Sequence, residues 1–248
     1  MPTAELIAHL DELLQARRFA DYCPNGLQVE GNGSVQRVVC GVTASLALVR
    51  AAARLDAQAL LVHHGWFWRG DDPRVLGTRR ERLAETLAAG LNLIAYHLPL
   101  DAHPELGNNA RLGAVMGWEV AGRAGENELL CWADLPETRD ARWLADGLAH
   151  ALGRVPLLVG DLQRPIRRLA WCTGAAQDLL QQAIDLGADA FVSGEIAERT
   201  THLAREASVI YAGAGHHATE RHGIRALGAH LGRRFGLDVV FVDDPNPV

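Results

Sequence analysis

Three short segments bring together side chains with more chemistry than packing requires. LLVHHGWFWRG, residues 60–70, ends an apolar run in the adjacent His63 and His64. YHLPLDAH, 96–103, supplies His97, Asp101 and His103, and GHHATE, 215–220, supplies His216, His217 and Glu220. A buried strand has no packing use for two imidazoles at its tip. Neutral imidazole and carboxylate are instead the donor set of zinc, iron, manganese or nickel. If a helix begins near Ala218, Glu220 follows His216 by one turn and both can face one point. The two doublets with Asp101 and Glu220 offer more ligands than one four-coordinate ion can use. Two ions bridged by a carboxylate, about 3.5–4 Å apart, fit the count better.

The remaining histidines read differently. His9, His150, His202 and His230 are isolated in the sequence and are expected as surface or hydrogen-bonded residues, and His222 as a helix residue. Cys40 and Cys172 fall within expected strands and should pack there. Trp66, Phe67 and Trp68 divide between lining a pocket and capping the core, and Arg69 is a candidate for meeting a phosphate. The 25 glycines form no GxGxxG or GxxxxGK[ST] after a strand, and no GxSxG occurs. Neither a nucleotide-phosphate loop nor a serine-nucleophile elbow is supported.

The elements that must position these groups alternate. Leu6, Ile7, Leu10, Leu13 and Leu14 mark an amphipathic helix over 3–17, and DYCPNGLQVEG breaks it with Pro24, Asn25 and Gly26. RVVCGVTAS, QALLVHH and LNLIAYH read as strands separated by the helices SLALVRAAARLDA and RRERLAETLAAG. After residue 120, ELLCWADL, RRLAWCTG, DAFVSGE, SVIYAGAG and LDVVFVD read as strands. TRDARWLADGLAHALG, QDLLQQAIDLGA, AERTTHLAREA and ATERHGIRALGAHLGRRFG read as helices. The expected class is α/β, built from parallel βαβ units. Offset by 131 positions, residues 37–64 lie over 168–195 without gaps, placing Arg37 on Arg168, Leu55 on Leu186 and His64 on Glu195. The simplest reading is two similar halves facing one another, 1–124 and 125–248, with AGRAGEN (121–127) as the hinge candidate. Functional groups of open α/β sheets gather beyond the carboxyl ends of the strands, where all three segments fall.

Bulk properties narrow the function. With 248 residues, 48% apolar and 22% charged, the chain can bury a sizeable core. The net charge of −6 argues against a dedicated nucleic-acid partner. No apolar run approaches the ~20 residues of a membrane span. The amphipathic, acid-bearing N-terminus lacks a signal-peptide layout, and four scattered cysteines fit a reducing cytoplasm.

LLVHHGWFWRGDDPRVLG, YHLPLDAHPELGNNARLG, FVSGEIAERTTHLARE and GHHATERHGIRALG together resemble, along nearly the whole chain, the YbgI-like dinuclear metal-centre family, whose members are called GTP cyclohydrolase 1 type 2 homologues. The resemblance implies two interlinked α/β domains with mostly parallel sheets, a metal site in the cleft between them, and a hexameric ring assembled as a trimer of dimers. It implies two divalent ions per subunit, zinc, iron, manganese or nickel, held by His63, His64, Asp101, His216 and Glu220, with Glu220 as the bridge. His97 is implied as a further ligand or a residue behind the ligands, and His217 as a residue behind them; either could move a proton. Glu195 stands where the family often has aspartate. The implied activity is metal-dependent hydrolysis of a nucleotide-like small molecule, in the manner of a type 2 GTP cyclohydrolase. The alternative is a ring that binds metal for homeostasis without catalysis.

Overall fold

The computed structural model describes residues 1–248. In chain order the helices are α1 (Thr3–Leu13), α2 (Leu46–Arg54), α3 (Gly77–Ala88), α4 (Leu98–Ala102), α5 (Asn108–Met116), α6 (Ala141–Leu152), α7 (Leu180–Asp185), α8 (Glu198–Glu206) and α9 (His216–Phe235). The strands are β1 (Gly26–Val29), β2 (Arg37–Thr43), β3 (Ala59–His64), β4 (Asn92–Ala95), β5 (Gly122–Ala124), β6 (Leu130–Arg139), β7 (Leu157–Gly160), β8 (Ile166–Cys172), β9 (Ala190–Ser193), β10 (Ile210–Gly213) and β11 (Asp238–Phe241). The chain divides into two compact units, Met1–Gly107 with Ile224–Asp244, and Asn108–Gly223 with Pro245–Val248. No helix is long and apolar enough to cross a membrane.

In the first unit the strand order is β1-β4-β3-β2-β11. β4, β3, β2 and β11 run parallel, and β1 is an antiparallel edge. Alternation along the strands sorts the core into two layers. Val38, Cys40, Leu61, Ile94 and Tyr96 pack with Leu6 and Leu10 of α1 and Ile224, Leu227 and Leu231 of α9. Val39, Leu60, Val62 and Leu93 pack on the other face with Leu48, Val49 and Ala52 of α2. Burial pushes the Cys40 thiol up to about 12, so it packs as a small apolar side chain. Ser45 starts α2 by accepting a hydrogen bond from the Leu48 amide at 3.0 Å.

The second sheet has the order β5-β6-β8-β9-β10-β7. Only β8, β9 and β10 are mutually parallel, whereas β5, β6 and β7 join antiparallel. Both sheets are mixed: the first is mostly parallel with one antiparallel edge strand, as expected, whereas the second keeps a parallel β8-β9-β10 centre flanked by antiparallel β6 and β5 on one side and β7 on the other. Trp171, Val192 and Ile210 face α5 and α6, while Phe191, Tyr211 and Ala170 face α7 and α8. The change of unit comes at Gly107 rather than near 124, because α5 packs on the second sheet and AGRAGEN forms β5 and the turn into β6. α9 starts in the second unit, and from Ile224 onward it and β11 belong to the first.

The repeat seen in the sequence extends to individual hydrogen bonds. Gln58 Oε1 accepts from the amides of Gln36 and Arg37 at 3.1 and 2.9 Å, and Asp189 Oδ2 accepts from those of Arg167 and Arg168, both at 2.9 Å. Arg37 Nη1 donates to Leu55 O, and Arg168 Nη1 donates to Leu186 O. In both units this brace ties the start of one parallel strand to the next.

Asp189 adds a carboxylate to the brace and also accepts from Arg164 Nε at 2.8 Å. Burial alone would raise its pKa. The amides of Arg168 and Arg167, with the Arg164 guanidinium, outweigh burial and hold it below the ordinary carboxylate value. A group depressed in the folded state adds stability above its unfolded pKa of about 3.9, and that stability is lost as pH falls through the folded value. Asp189→Ala is expected to lower unfolding free energy at pH 7 by about 2 kcal/mol, from the lost charge-assisted bonds. The deficit should shrink in urea melts taken below about pH 4, where the parent loses the same contribution. A deficit independent of pH would assign Asp189 a packing role only.

Candidate metal centre

In the first unit the donors stand at the ends of adjacent parallel strands. His63 and His64 close β3, and His97 follows β4 as the residue that opens α4, which carries Asp101. His63 is fully buried, and His97 and Asp101 are nearly so. One nitrogen from each of His63, His64 and His97 falls in a group whose members lie within 4.8 Å of one another. Asp101 Oδ1 is 3.4 Å from His63 Nε2.

What lies behind each imidazole decides which nitrogen faces a ligand. His63 Nδ1 donates to the Tyr96 carbonyl at 2.9 Å, which leaves the lone pair of the neutral ring on Nε2. His97 Nδ1 donates to Asp21 Oδ1 at 2.9 Å, with the same consequence. His64 Nδ1 pairs with the Thr43 hydroxyl at 3.1 Å. Metal-binding histidines are held in this way, through the other nitrogen, by a carboxylate, carbonyl or hydroxyl.

Asp21 lies in DYCPNG, a segment whose sequence signals only a turn. Its carboxylate, almost wholly buried, accepts from His97, the Tyr22 amide, Cys23 Sγ, Asn25 Nδ2 and the Leu98 amide. Asn25 Oδ1 accepts from the His97 amide at 2.8 Å, so the turn clamps the start of α4 from two sides. Burial alone would raise the Asp21 pKa. The hydrogen bonds from His97, Asn25 and the Leu98 amide prevail and hold it well below the usual carboxylate range. The aromatic residues divide as expected. Trp66 is buried and donates to Ala44 O at 2.6 Å, while Trp68 and Tyr22 stand edge-on to His97, with ring centroids 5.2 and 5.0 Å away.

In the second unit the helix begins at His216, two residues before the expected start, and Glu220 follows one turn later. His216 Nε2 lies 3.1 Å from Glu220 Oε2, and His216 Nδ1 donates to Glu195 Oε1 at 2.7 Å. Glu195 therefore acts through His216 by orienting its ring. Burial would lower the His216 pKa, but hydrogen bonds and charge from Glu220 and Glu195 push it up to about 9, so the pocket favours positive charge on or beside that ring. Three strand-end turns are stitched together below it. Gly194 N donates to Gly174 O and Gly215 N to Gly194 O, both at 2.8 Å, while the Thr219 hydroxyl accepts from Gly174 N and donates to His216 O. Gly174 has φ +71°, and a Cβ there would sit 2.2 Å from Glu220 Oε1, so only glycine allows this approach.

The other expected residues take smaller parts. His217 is buried and its amide donates to Val248 O at 3.0 Å, but it joins none of the donor clusters. His103 Nδ1 accepts from the amides of Glu105 and Leu106, closing the turn after α4. Nothing in the sequence spacing linked Asp21 to His97 or Glu195 to His216, since each pair joins distant segments.

Histidine and carboxylate donors at the strand ends of two sheets with matching central topology define a class of α/β protein whose clustered side chains could hold metal ions. The Duf34/NIF3 (NGG1p interacting factor 3) family profile matches residues 1–247, and the chain belongs to that family. The GTP cyclohydrolase 1 type 2 homolog of Pseudomonas aeruginosa is 49% identical over 245 residues, covering 98% of this chain and 97% of that protein. The protein of the same name from Escherichia coli K12 is 48% identical over 248 residues, covering both in full. A solved structure of protein ybgI superposes with a TM-score of 0.96 at 47% identity, covering all of both chains.

Proposed function

We propose that the chain is a dinuclear metal-dependent hydrolase acting on a nucleotide-like small molecule. In this reading His63, His64, Asp101, His216 and Glu220 would hold the ions, with Glu220 the ligand that would serve both. The observation that carries it is the state of the imidazoles: His63, His64, His97 and His216 each have Nδ1 engaged by an oxygen, which suits Nε2 to a metal. Divalent ions bound there supply Lewis acidity that polarises a substrate oxygen and acidifies water. Asp21 holds His97 in the tautomer whose Nε2 can take a proton from the attacking water, and stabilises the imidazolium that results. Tyr22 and Trp68 offer aromatic surface beside His97 to a heteroaromatic ring. The name of the curated relatives, GTP cyclohydrolase 1 type 2 homolog, supports purine-ring opening as the first reaction to try. A hexameric ring, as a trimer of dimers, is the proposed assembly. The four buried cysteines form no disulfide, which fits a reducing cytoplasm.

The test is elemental analysis of protein purified without chelator, followed by turnover assays beginning with GTP. Two ions per chain and metal-dependent turnover are expected. Two ions with no turnover across nucleotide-like substrates would favour the metal-homeostasis reading. No stoichiometric metal after incubation with zinc, manganese or iron would overturn the centre itself.

A further inference from the structure

His9 of α1 and His230 of α9, expected from the sequence to be surface or hydrogen-bonded residues, meet within the first unit at 2.9 Å between their Nε2 atoms. Their rings are coplanar to 1° with centroids 5.2 Å apart. An imidazole nitrogen lies roughly 1.15 Å from its ring centre by covalent geometry, so 5.2 Å is the separation of two rings aligned end to end. The rings are therefore not stacked face to face. Each directs its Nε2 at the other, and one Nε2–H donates to the other nitrogen. The supports are firm. Leu6 and Leu10 beside His9 pack with Leu227 and Leu231 beside His230, and Phe235 stands edge-on to the His9 ring at 4.7 Å.

We propose that His9 and His230 form a further, bridging site for a divalent transition-metal ion of the zinc type, separate from the dinuclear centre. Two zinc–nitrogen bonds of about 2.0–2.1 Å at a tetrahedral angle separate the nitrogens by about 3.4 Å, so a modest widening of the observed contact admits the ion. No proton need leave the pair. The donor ring shifts its hydrogen from Nε2 to Nδ1, and both Nε2 lone pairs then face the metal. The two imidazoles would be the protein ligands, with water completing the shell, and Glu12, exposed and one turn along α1 from His9, contributes negative charge nearby. Arg233 and Arg234 on α9 oppose positive charge here, as does the burial of both rings, and Glu12 favours it. That balance makes the site weaker than a fully ligated structural zinc site. An ion held there would staple α1 to α9.

The experiment is zinc titration of the full chain, with bound zinc and the thermal midpoint measured in parallel, comparing the parent with His9→Gln and His230→Gln. Each variant should bind one ion fewer per chain at saturation and lose the micromolar-zinc increment in Tm shown by the parent. The same difference should persist in a His64→Ala/Glu220→Ala background, where the dinuclear centre is disabled, so loss of that centre and loss of this site read separately. A purely structural hydrogen bond would lower Tm in the variants without changing the zinc increment. Equal zinc content and equal increments in parent and variants would overturn the proposal.

Discussion

His64→Ala and Glu220→Ala are each expected to abolish stoichiometric metal binding, with Glu220→Ala losing both ions. Loss of a partner behind a ligand lowers metal affinity by about 10–100-fold, and loss of a ligand itself should exceed that. Glu220 should have the larger effect because it is the shared ligand in the proposed centre. It is also the carboxylate 3.1 Å from His216 Nε2, on a side chain that is nearly all buried. Glu220→Gln keeps the volume and one carbonyl oxygen while removing the charge, so its metal loss cannot be blamed on a cavity. Elemental analysis and circular dichroism on the same samples separate metal loss from unfolding. Retention of two ions in folded Glu220→Gln and Glu220→Ala would remove Glu220 from the ligand set.

Asp21→Ala is expected to destabilise the first unit by about 3 kcal/mol and to weaken metal binding by about 10–100-fold, although Asp21 is not a proposed ligand. The stability loss follows from stranding the donors that converge on the buried carboxylate, among them His97 Nδ1, Asn25 Nδ2 and the Leu98 amide. The affinity loss follows from His97, whose ring packs against the proposed ligands His63 and His64, so that its freedom to turn or change tautomer disturbs both. Asp21→Asn retains the shape but must present an N–H to one of those donors, so its effect on metal affinity should approach that of alanine at a smaller cost in stability. Denaturant melts followed by tryptophan fluorescence, together with metal titration, test both parts. A folded Asp21→Asn protein with parental metal affinity would show that the pair serves folding alone.

How much was legible follows from where each signal resides. The centres of both sheets were readable because ALLV, NLIA, AFVS and IYAG are short buried runs flanked by helical periodicity. The edges were not. β1 lies in a segment dominated by Pro24, Asn25 and Gly26, and β7 is four residues long, so neither carries an alternation long enough to distinguish strand from loop. α4 holds Pro99 and only five residues, below the length at which helical period is visible. The unit boundary at Gly107 was missed because α5, packed against the second sheet, has no linker-like sequence before it. The candidate ligands stood out because histidine doublets at strand tips have no packing explanation. Their supports, Asp21 and Glu195, did not, because a carboxylate on a loop looks solvated until the fold brings a distant histidine to it.

The paired braces at Gln58 and Asp189 give the chain a direction in which acid takes it apart. One copy closes its strands with a neutral amide that no accessible pH alters, and the other uses a carboxylate that protonation disarms. As pH falls, amide hydrogens at the starts of β8 and β9, beside Asp189, should therefore gain exchange rate more than their counterparts beside Gln58 at the starts of β2 and β3. In acid, the two copies differ in their order of opening where at neutral pH they share a bonding pattern.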